Sequence, residues 1–389
     1  MYQRQDSLQI RPKKVRMPQI GIVSFANFVD ALTNSYLSLP KLSAIGFREL
    51  PSIVTQSVSV RTDKELLLAT RAFASDDRTR SWWYLFSTIA LYGVCLAICV
   101  SDLNWVVRLL ASGVSALLIV RIFIMYHDYQ HHAILVHSRL AGAIMYVYGL
   151  LVLSPTSVWN RSHDHHHKHN SKETNEHIGS FPVMTCEQYS ASTRWQKLQY
   201  VASRHWVTIG LGYFTVFMGG MCIRAIFVNP ARHFDSAIAL LLHVGLIFGL
   251  AMLGWEYLIL CLILPLTVSC AVGSYLFYAQ HNFPGCKLNH HQKWSYVGAA
   301  LRSSSYMRMH PIMRWFTGNI GYHHVHHLNA KIPFYKLPAA MASLTELQEP
   351  ASTSLRIADI WACMRANLWD PQQDRFVSYR EARLAVVDE

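Results

Sequence analysis

Residues 104–132 read NWVVRLLASGVSALLIVRIFIMYHDYQHH, an apolar run followed at once by a segment, residues 127–132, that contains three histidines. As a helix with a rise of about 1.5 Å per residue, the run is long enough to cross a hydrocarbon core roughly 30 Å thick. His127 and His131 are four positions apart, so their side chains lie on one face of the same helix. The stretch therefore predicts a membrane-spanning helix that presents two imidazoles at its end.

Two further histidine clusters have a similar design. Residues 163–167 read HDHHH and residues 323–327 read HHVHH. In each cluster the first histidine is followed by others three and four positions later, so that three imidazoles can converge on one point. Many imidazoles packed as cations would repel one another, and as neutral rings they would leave acceptors unsatisfied. A bound metal is the simplest explanation.

The candidate ligands exceed what one metal needs, because a tetrahedral zinc ion uses at most about four protein ligands. Imidazole suits Zn, Cu, Fe and Ni, and no thiolate cluster or two-histidine, one-carboxylate triad narrows the choice. A site for two metals beside a bilayer indicates redox chemistry on a lipid. The candidates are the cluster histidines and one histidine that comes after the last apolar run: His127, His131, His163, His166, His167, His281, His323, His326 and His327.

The composition is that of a membrane protein. Hydrophobic residues make up 52% of the 389 positions and charged residues only 15%, which is unusual for a soluble globular chain. We predict an all-α integral membrane protein with about four transmembrane helices, interfacial helices and a cytoplasmic histidine-rich cap. The predicted spans are residues 82–100, 104–126, 236–254 and 257–278. The apolar runs at 140–153 and 207–228 are predicted to be interfacial, with a re-entrant course as the alternative for the first.

The distribution of positive charge predicts the orientation. Arg71, Arg78 and Arg80 precede the first span, whereas the turn after it, residues 101–103, contains no Lys or Arg. By the positive-inside rule the N-terminus lies in the cytoplasm, and an even number of crossings returns every histidine cluster and the C-terminus to that side. This bias and anionic lipid head groups explain the net charge of +12, so no nucleic-acid partner is expected.

The chain divides into three predicted segments. Residues 1–60 are polar and basic and are predicted to be a cytoplasmic extension, residues 61–345 form the membrane domain, and residues 346–389 form a cytoplasmic C-terminal segment. Thr62 and Glu65 have the spacing of a capping box that opens a helix. An apolar stripe near the C-terminus predicts an amphipathic helix that packs on the protein core or on the membrane surface. The stripe consists of Ile357, Ile360, Trp361, Met364 and Leu368.

The three clusters read, in order, HxxxH, HxxHH and HxxHH, a series that resembles the membrane fatty acid desaturase family over residues 60–345. The strings NIGYHHVHHLNAKIP at 319–333 and HIGSFP at 177–182 are similar to the acyl-lipid, Δ12-like branch found in bacteria. The resemblance implies a di-iron centre on the cytoplasmic face of a bacterial inner membrane, held by the three histidine boxes and one further histidine. By motif, that histidine corresponds to His281, in the string QHNF at 280–283.

The first box departs from the family's HDxxHG form, because His132 stands where a small residue is expected. Either His131 or His132 can therefore be the second ligand of this box, and we favour His131. Asp128 and Asp164 each follow the first ligand of a box, where a carboxylate can accept the free imidazole N–H and fix the ring, with a position on the helix surface as the alternative. The other candidates for a supporting role are Asn282 and three histidines, His165, His169 and His324, for which simple exposure is the alternative.

The resemblance implies an enzyme that uses O2 and two external electrons to introduce a cis double bond into the acyl chain of a lipid. An unactivated methylene has no charge to recognise, so we expect an apolar tunnel to determine the position of the bond. The chain has no His-Pro-Gly-Gly haem motif and no Rossmann fingerprint. The electrons are therefore expected from a separate carrier of the ferredoxin or cytochrome b5 type with its reductase. Such carriers are commonly acidic. The lysines that could steer one, which the positive-inside rule explains equally well, are Lys168, Lys172, Lys287, Lys293, Lys331 and Lys336.

Three other functions remain alternatives. A di-iron lipid hydroxylase or ketolase, or an alkane monooxygenase, would share these boxes and differ only in the step after hydrogen abstraction. A metal transporter should carry ionisable residues in mid-span along a pathway, whereas these clusters lie at the ends of spans. A non-enzymatic membrane protein stabilised by metal would bind the ion without consuming O2.

Overall fold

The computed structural model describes residues 61–172, 179–288 and 294–385, and this part of the chain is mainly helical. The predicted extension at residues 1–60 lies outside the described residues. The first described helix, α1 (Asp63–Thr70), begins with the predicted capping box of Thr62 and Glu65, which is confirmed. The later helices, numbered in chain order, are α2 Arg78–Cys99, α3 Trp105–Gln130, α4 Arg139–Leu151, α5 Thr156–His169, α6 Cys186–Ala191, α7 Arg194–Arg204, α8 Trp206–Gly210, α9 Tyr213–Val228, α10 Phe234–Leu253, α11 Trp255–Ala279, α12 Tyr296–Ser303, α13 Pro311–Phe316, α14 His323–Leu328, α15 Leu337–Ser343, α16 Ile357–Arg365 and α17 Tyr379–Ala385.

Four helices in the described part of the chain are long and apolar enough to cross a membrane, namely α2, α3, α10 and α11. They overlap the four predicted spans, and the predicted fold class is confirmed. Gly254 separates α10 from α11 with a φ of 149°, a backbone conformation that glycine adopts without steric cost. The chain can therefore turn sharply between the two helices.

Helix α3 lies at the centre of the membrane domain. Its most apolar window is 67% buried inside the protein, against 17% for α10. Small buried residues such as Ala111 and Ser112 let neighbouring helices approach α3 closely, and the Ser112 hydroxyl donates to the carbonyl of Leu260 in α11 at 2.7 Å. Helix α10 instead exposes large apolar side chains, including Phe248 and Met252, as expected of a surface covered by lipid.

The two runs predicted to be interfacial form broken helices. Residues 140–153 form most of α4, and α5 comes after it at an angle of 92°, beyond a short break in which Leu153 has a φ of 55°. The second run, residues 207–228, is divided into α8 and α9, and within α9 the stretch Tyr213–Ile223 has the wider hydrogen bonding of a π-helix. Their position at a membrane interface stays a prediction.

After α11 the chain forms a cap of short helices and two small β-sheets. β1 (Tyr306–Arg308) pairs in parallel with β2 (Ser352–Ser354), and β3 (Leu368–Asp370) pairs antiparallel with β4 (Arg375–Val377). All six residues of α14, which carries the third histidine cluster, are buried. The cap therefore encloses the histidines and shields them from bulk water.

The predicted amphipathic helix near the C-terminus is α16, but it is shorter than its apolar stripe. Helix α16 ends at Arg365, so the prediction was wrong for Leu368, which begins β3 and pairs with Val377. Leu368 is buried by this pairing, and burial in the hairpin outweighs the helical spacing. Ile357 and Trp361 are 86% and 60% exposed. Contact of this face with a membrane surface remains a prediction.

Candidate metal centre

The nine predicted ligands come from four segments of the chain. His127 lies in the last turn of α3, and His131 comes directly after that helix. Helices α5 and α14 carry three each, and His281 comes two residues after the end of α11. The structure brings all nine side chains together, with seven of them buried and with His131 and His281 partly buried.

The nine histidines form two groups. Within each group, one ring nitrogen of every member lies within 4.8 Å of the others. The five-histidine group consists of His127, His131, His163, His167 and His326. The four-histidine group consists of His166, His281, His323 and His327.

The second and third clusters are each divided between the two groups, so the prediction that a triplet converges on one point was wrong. His163 and His167 share a group, and His166 joins the other one. At about 100° per residue, position i+4 lies about 40° to one side of position i, whereas i+3 lies about 60° to the other side. Each helix therefore directs the histidines at i and i+4 towards one group and the histidine at i+3 towards the other.

Contacts within the five-histidine group link all three clusters. The Nε2 atom of His167 lies 3.2 Å from the Nε2 of His163 and 3.1 Å from the Nε2 of His326. The His127 ring packs against His131 and His326, with centroid separations of 4.6 and 4.5 Å. The five rings thus surround a small common space.

The four-histidine group is arranged around His281. The Nε2 atom of His281 lies 3.0 Å from the Nε2 of His166 and 2.8 Å from the Nε2 of His323. The Nε2 of His323 is also 3.1 Å from the Nε2 of His327. The His327 ring stacks on His167 of the other group with the centroids 4.2 Å apart. The two groups are therefore in direct contact.

Asp128 orients a ring of the five-histidine group, as its position in the sequence predicts. Its Oδ1 atom is 3.1 Å from the Nδ1 of His127, and its Oδ2 accepts the backbone N–H of Phe334 at 2.7 Å. Because a carboxylate oxygen accepts, we assign the ring proton to Nδ1. The Nε2 lone pair of His127 is then free to bind a metal.

Two serines orient rings of the four-histidine group. The Nδ1 of His166 lies 2.7 Å from the Ser180 hydroxyl, and the Nδ1 of His281 lies 3.0 Å from the backbone carbonyl of Ser303. A carbonyl oxygen can only accept, so His281 donates from Nδ1 and presents a lone pair at Nε2. Both rings therefore have a partner on the side away from the other histidines.

The site fits metal ions better than it fits histidines alone. Burial lowers the pKa of His281 to about 4, and burial and neighbouring histidines hold the pKa of His323 and His327 well below the ordinary value. Where two neutral rings face each other through their Nε2 atoms, only one of the two nitrogens can carry the proton of a hydrogen bond. Neither group contains a carboxylate that could balance the charge of additional protons. A cation bound by the lone pairs removes this conflict, so the residues fit two metal ions, one for each group.

The other predicted site residues lie outside both groups. His132 is exposed and lies outside the groups, so it is His131 that joins the five-histidine group, as we favoured from the sequence. His324 is buried with its Nε2 3.2 Å from the carbonyl of Leu347, so it is neither exposed nor among the grouped rings. Asp164 is exposed. The rings of His165 and His169 stack on each other with a centroid separation of 4.0 Å, and Asn282 binds Arg204.

Sequence reasoning missed several residues that contact the site. The ring of Trp159 stacks on His163 with a centroid separation of 4.6 Å. Ser180 lies in the HIGSFP string at 177–182, so the family resemblance of that string could have indicated it. No sequence motif indicates that Arg204 lies near His281. These contacts depend on how distant segments pack.

A cavity of about 980 Å³ extends from the histidines between the membrane helices. It is bordered by His127 and His163 of the five-histidine group and by His323 of the four-histidine group. Its walls are mostly apolar and include Ile119, Val120, Phe123, Trp159, Phe217 and Leu276. A second, smaller pocket of about 100 Å³ borders His166 and His281 and contains the polar side chains of Lys172 and Arg204.

Comparisons with known proteins agree with this geometry. A family model described as fatty acid desaturase matches residues 103–357, which include all nine grouped histidines. The "Fatty acid desaturase" of Bacillus subtilis (strain 168) is 29% identical over 331 residues, which cover 84% of this chain and 94% of that protein. The "sn-1 acyl-lipid omega-3 desaturase (ferredoxin)" of Nostoc sp. (strain 36) is 22% identical over 279 residues, which cover 68% of this chain and 75% of that protein. With its helical membrane domain and its two histidine groups, the chain belongs to the fatty acid desaturase family.

Proposed function

We propose that the protein is an O2-dependent acyl-lipid desaturase that uses two iron ions and external electrons to introduce a cis double bond. The observation that carries this proposal is the large apolar cavity, because it borders both histidine groups. An acyl chain in this cavity would have its methylenes next to the metal centre. The family match and the two relatives support a lipid substrate.

We assign the nine grouped histidines as ligands, five for one iron and four for the other. The two irons would supply the redox chemistry that activates O2 and removes two hydrogens from adjacent methylenes. The protein's own residues hold the rings in place, since Asp128 accepts from the Nδ1 of His127 and the Ser180 hydroxyl forms a hydrogen bond with the Nδ1 of His166. The apolar walls exclude water and determine which methylenes approach the histidines.

The electrons would come from a separate carrier of the ferredoxin or cytochrome b5 type with its reductase. The printed name of the Nostoc relative includes ferredoxin, which supports such a donor. Of the basic side chains expected to steer it, Lys168 is exposed, whereas Lys287 pairs with Asp374 at 2.7 Å and Lys336 donates to Ser75. Lys293 lies outside the described residues.

We further propose that the chain crosses a bacterial inner membrane four times, with the histidine groups and both termini in the cytoplasm. The four apolar helices and the positive charge before α2 support this orientation. On this topology, α3 and α11 both end at the cytoplasmic face, where they deliver His127 and His281.

The test is the fatty acid profile, by gas chromatography and mass spectrometry, of a host that expresses the chain and an electron donor. We expect a new double bond with the wild type and none with His323→Ala. The matched control is His132→Asn, because His132 is exposed and lies outside both groups, and this variant should retain the product.

A hydroxylated or keto product would overturn desaturation in favour of the related oxygenases. Two bound metals without O2 consumption would support a non-enzymatic metal protein instead.

A further inference from the structure

Arg204 is a buried cation next to the metal centre. It ends α7, and only 2% of its surface is exposed. Within the described residues its guanidinium forms no ion pair, and it lies against the rings of Tyr200 and Tyr278, with its central carbon 5.4 and 5.2 Å from their centroids. Burial of a charge without a counter-ion is costly unless hydrogen bonds stabilise it. The hydrogen bonds of Arg204 must therefore offset this cost.

The guanidinium of Arg204 joins three other segments of the chain. It donates to the carbonyl of Pro182 at 2.6 Å and to the carbonyl of Ala366 at 2.7 Å. It also donates to the hydroxyl of Tyr278 at 3.3 Å and to the Oδ1 of Asn282. These contacts connect α7 to the loop after the second histidine cluster, to the end of α11 and to the C-terminal segment.

Asn282 transmits this arrangement to His281, the residue before it. Its side chain accepts from Arg204 and donates through Nδ2 to the carbonyls of Cys363 and Ala366, each at 3.0 Å. Asn282 is only 3% exposed. The backbone that carries His281 is thus fixed between Arg204 on one side and the end of α16 on the other.

Arg204 also supports the loop that orients His166. Pro182, which accepts from Arg204, comes two residues after Ser180, whose hydroxyl lies 2.7 Å from the Nδ1 of His166. His166 and His281 both belong to the four-histidine group. By contrast, the five-histidine group has its orienting contact from Asp128, which Arg204 does not touch within the described residues.

We propose that Arg204 is a positioning residue that acts selectively on the four-histidine group. By fixing Asn282 and the loop at Pro182, it holds His281 and His166 at the separation that binds a metal ion. This inference rests on the proposed function, because it presupposes that each group binds one iron. Loss of Arg204 should therefore weaken one iron site and leave the other intact.

The experiment measures iron retained per chain by purified full-length protein in detergent, loaded anaerobically with Fe(II) and titrated with a chelator. We expect two irons in the wild type and in the control Arg194→Gln, which alters an exposed arginine at the other end of α7. In Arg204→Gln, one iron should be held about 10- to 100-fold more weakly, the effect typical of lost partners behind metal ligands. The second iron should keep its wild-type affinity.

A combination with His131→Ala identifies the weakened site. His131→Ala alone removes a ligand of the five-histidine group, so this variant should retain the iron of the four-histidine group. The double variant with Arg204→Gln should retain almost none under the same chelator. Equal weakening of both irons by Arg204→Gln, or no weakening, would overturn the proposal. A wild-type protein that binds fewer than two irons would instead overturn the proposed function.

Asn282→Ala provides an independent variant if Arg204→Gln does not fold. It retains the arginine but removes the side chain that joins Arg204 to the backbone after His281. The same selective loss of one iron is expected. Unchanged retention of both irons by folded Asn282→Ala would contradict the role that we assign to this contact.

Discussion

The two histidine groups differ in how much of the chain each one needs. The five-histidine group draws only on the three sequence clusters, and its orienting residue, Asp128, is adjacent to His127. The four-histidine group needs His281, which belongs to no cluster, and its rings are oriented by Ser180 and the carbonyl of Ser303. Every member of the five-histidine group therefore comes from a cluster that is visible in the sequence, whereas the four-histidine group also needs a histidine from outside the clusters.

The largest effect is expected when a ligand is removed from either group. We expect His127→Ala and His281→Ala each to lower desaturation more than about 100-fold, because the proposed reaction needs both metals and each variant loses a donor. Iron content should fall from two to one per chain in both. Iron analysis and product analysis of the two variants would measure this, and two tightly held irons in His281→Ala would remove it from the ligand set.

A smaller effect is expected when an orienting partner is removed. Asp128→Asn should weaken one iron, and Ser180→Ala should weaken the other, each by about 10- to 100-fold, because the ring then loses its fixed orientation. Chelator competition on the two variants and on the double variant measures both effects. If the two losses affected the same iron, the division into two groups would be wrong.

A change in the cavity should alter selectivity and leave both metal groups intact. Gly220 borders the cavity, and a Cβ there would meet the carbonyl of Thr215 at an ordinary contact distance of 3.6 Å. Gly220→Leu should therefore fill part of the cavity and shift the preference between acyl chains by about tenfold, the scale of one or two methylenes. Product analysis with chains of several lengths would measure the shift.

The control for this substitution is Gly210→Leu, because a Cβ at Gly210 would meet no atom within 4 Å and this residue does not border the cavity. Its chain-length profile should match that of the wild type. Iron content should remain at two in both variants. An unchanged profile in Gly220→Leu would show that this part of the cavity does not contact the acyl chain.

The smallest effect on chemistry is expected from His324, although it lies within the third cluster. His324→Ala removes the buried contact to the carbonyl of Leu347, so the free energy of unfolding should fall by about 1–3 kcal/mol. Both irons should remain bound. Thermal unfolding and iron analysis check this, with His132→Asn as an exposed control. Loss of an iron in His324→Ala would place this residue among the ligands.

Several features could be predicted from the sequence because they depend on neighbours along the chain. The four apolar spans and the capping box at Thr62 follow from local composition and hydrogen bonding. The end of α16 could not be predicted in this way, because Leu368 pairs with Val377 instead of continuing the helix. The role of Asn282 also depends on Arg204, a residue 78 positions away.

Apolar length and helical spacing are properties of contiguous residues, so the family, the membrane helices and the nine histidines could be identified from the chain alone. The division of His166 and His167 between different groups, and the inclusion of His131 instead of His132, became visible only once distant segments were packed together. The same packing also decided which residues orient the rings. The physical reason is that a helix face determines only the direction in which a side chain points, whereas the packing of α3, α5, α11 and α14 determines which side chains it meets.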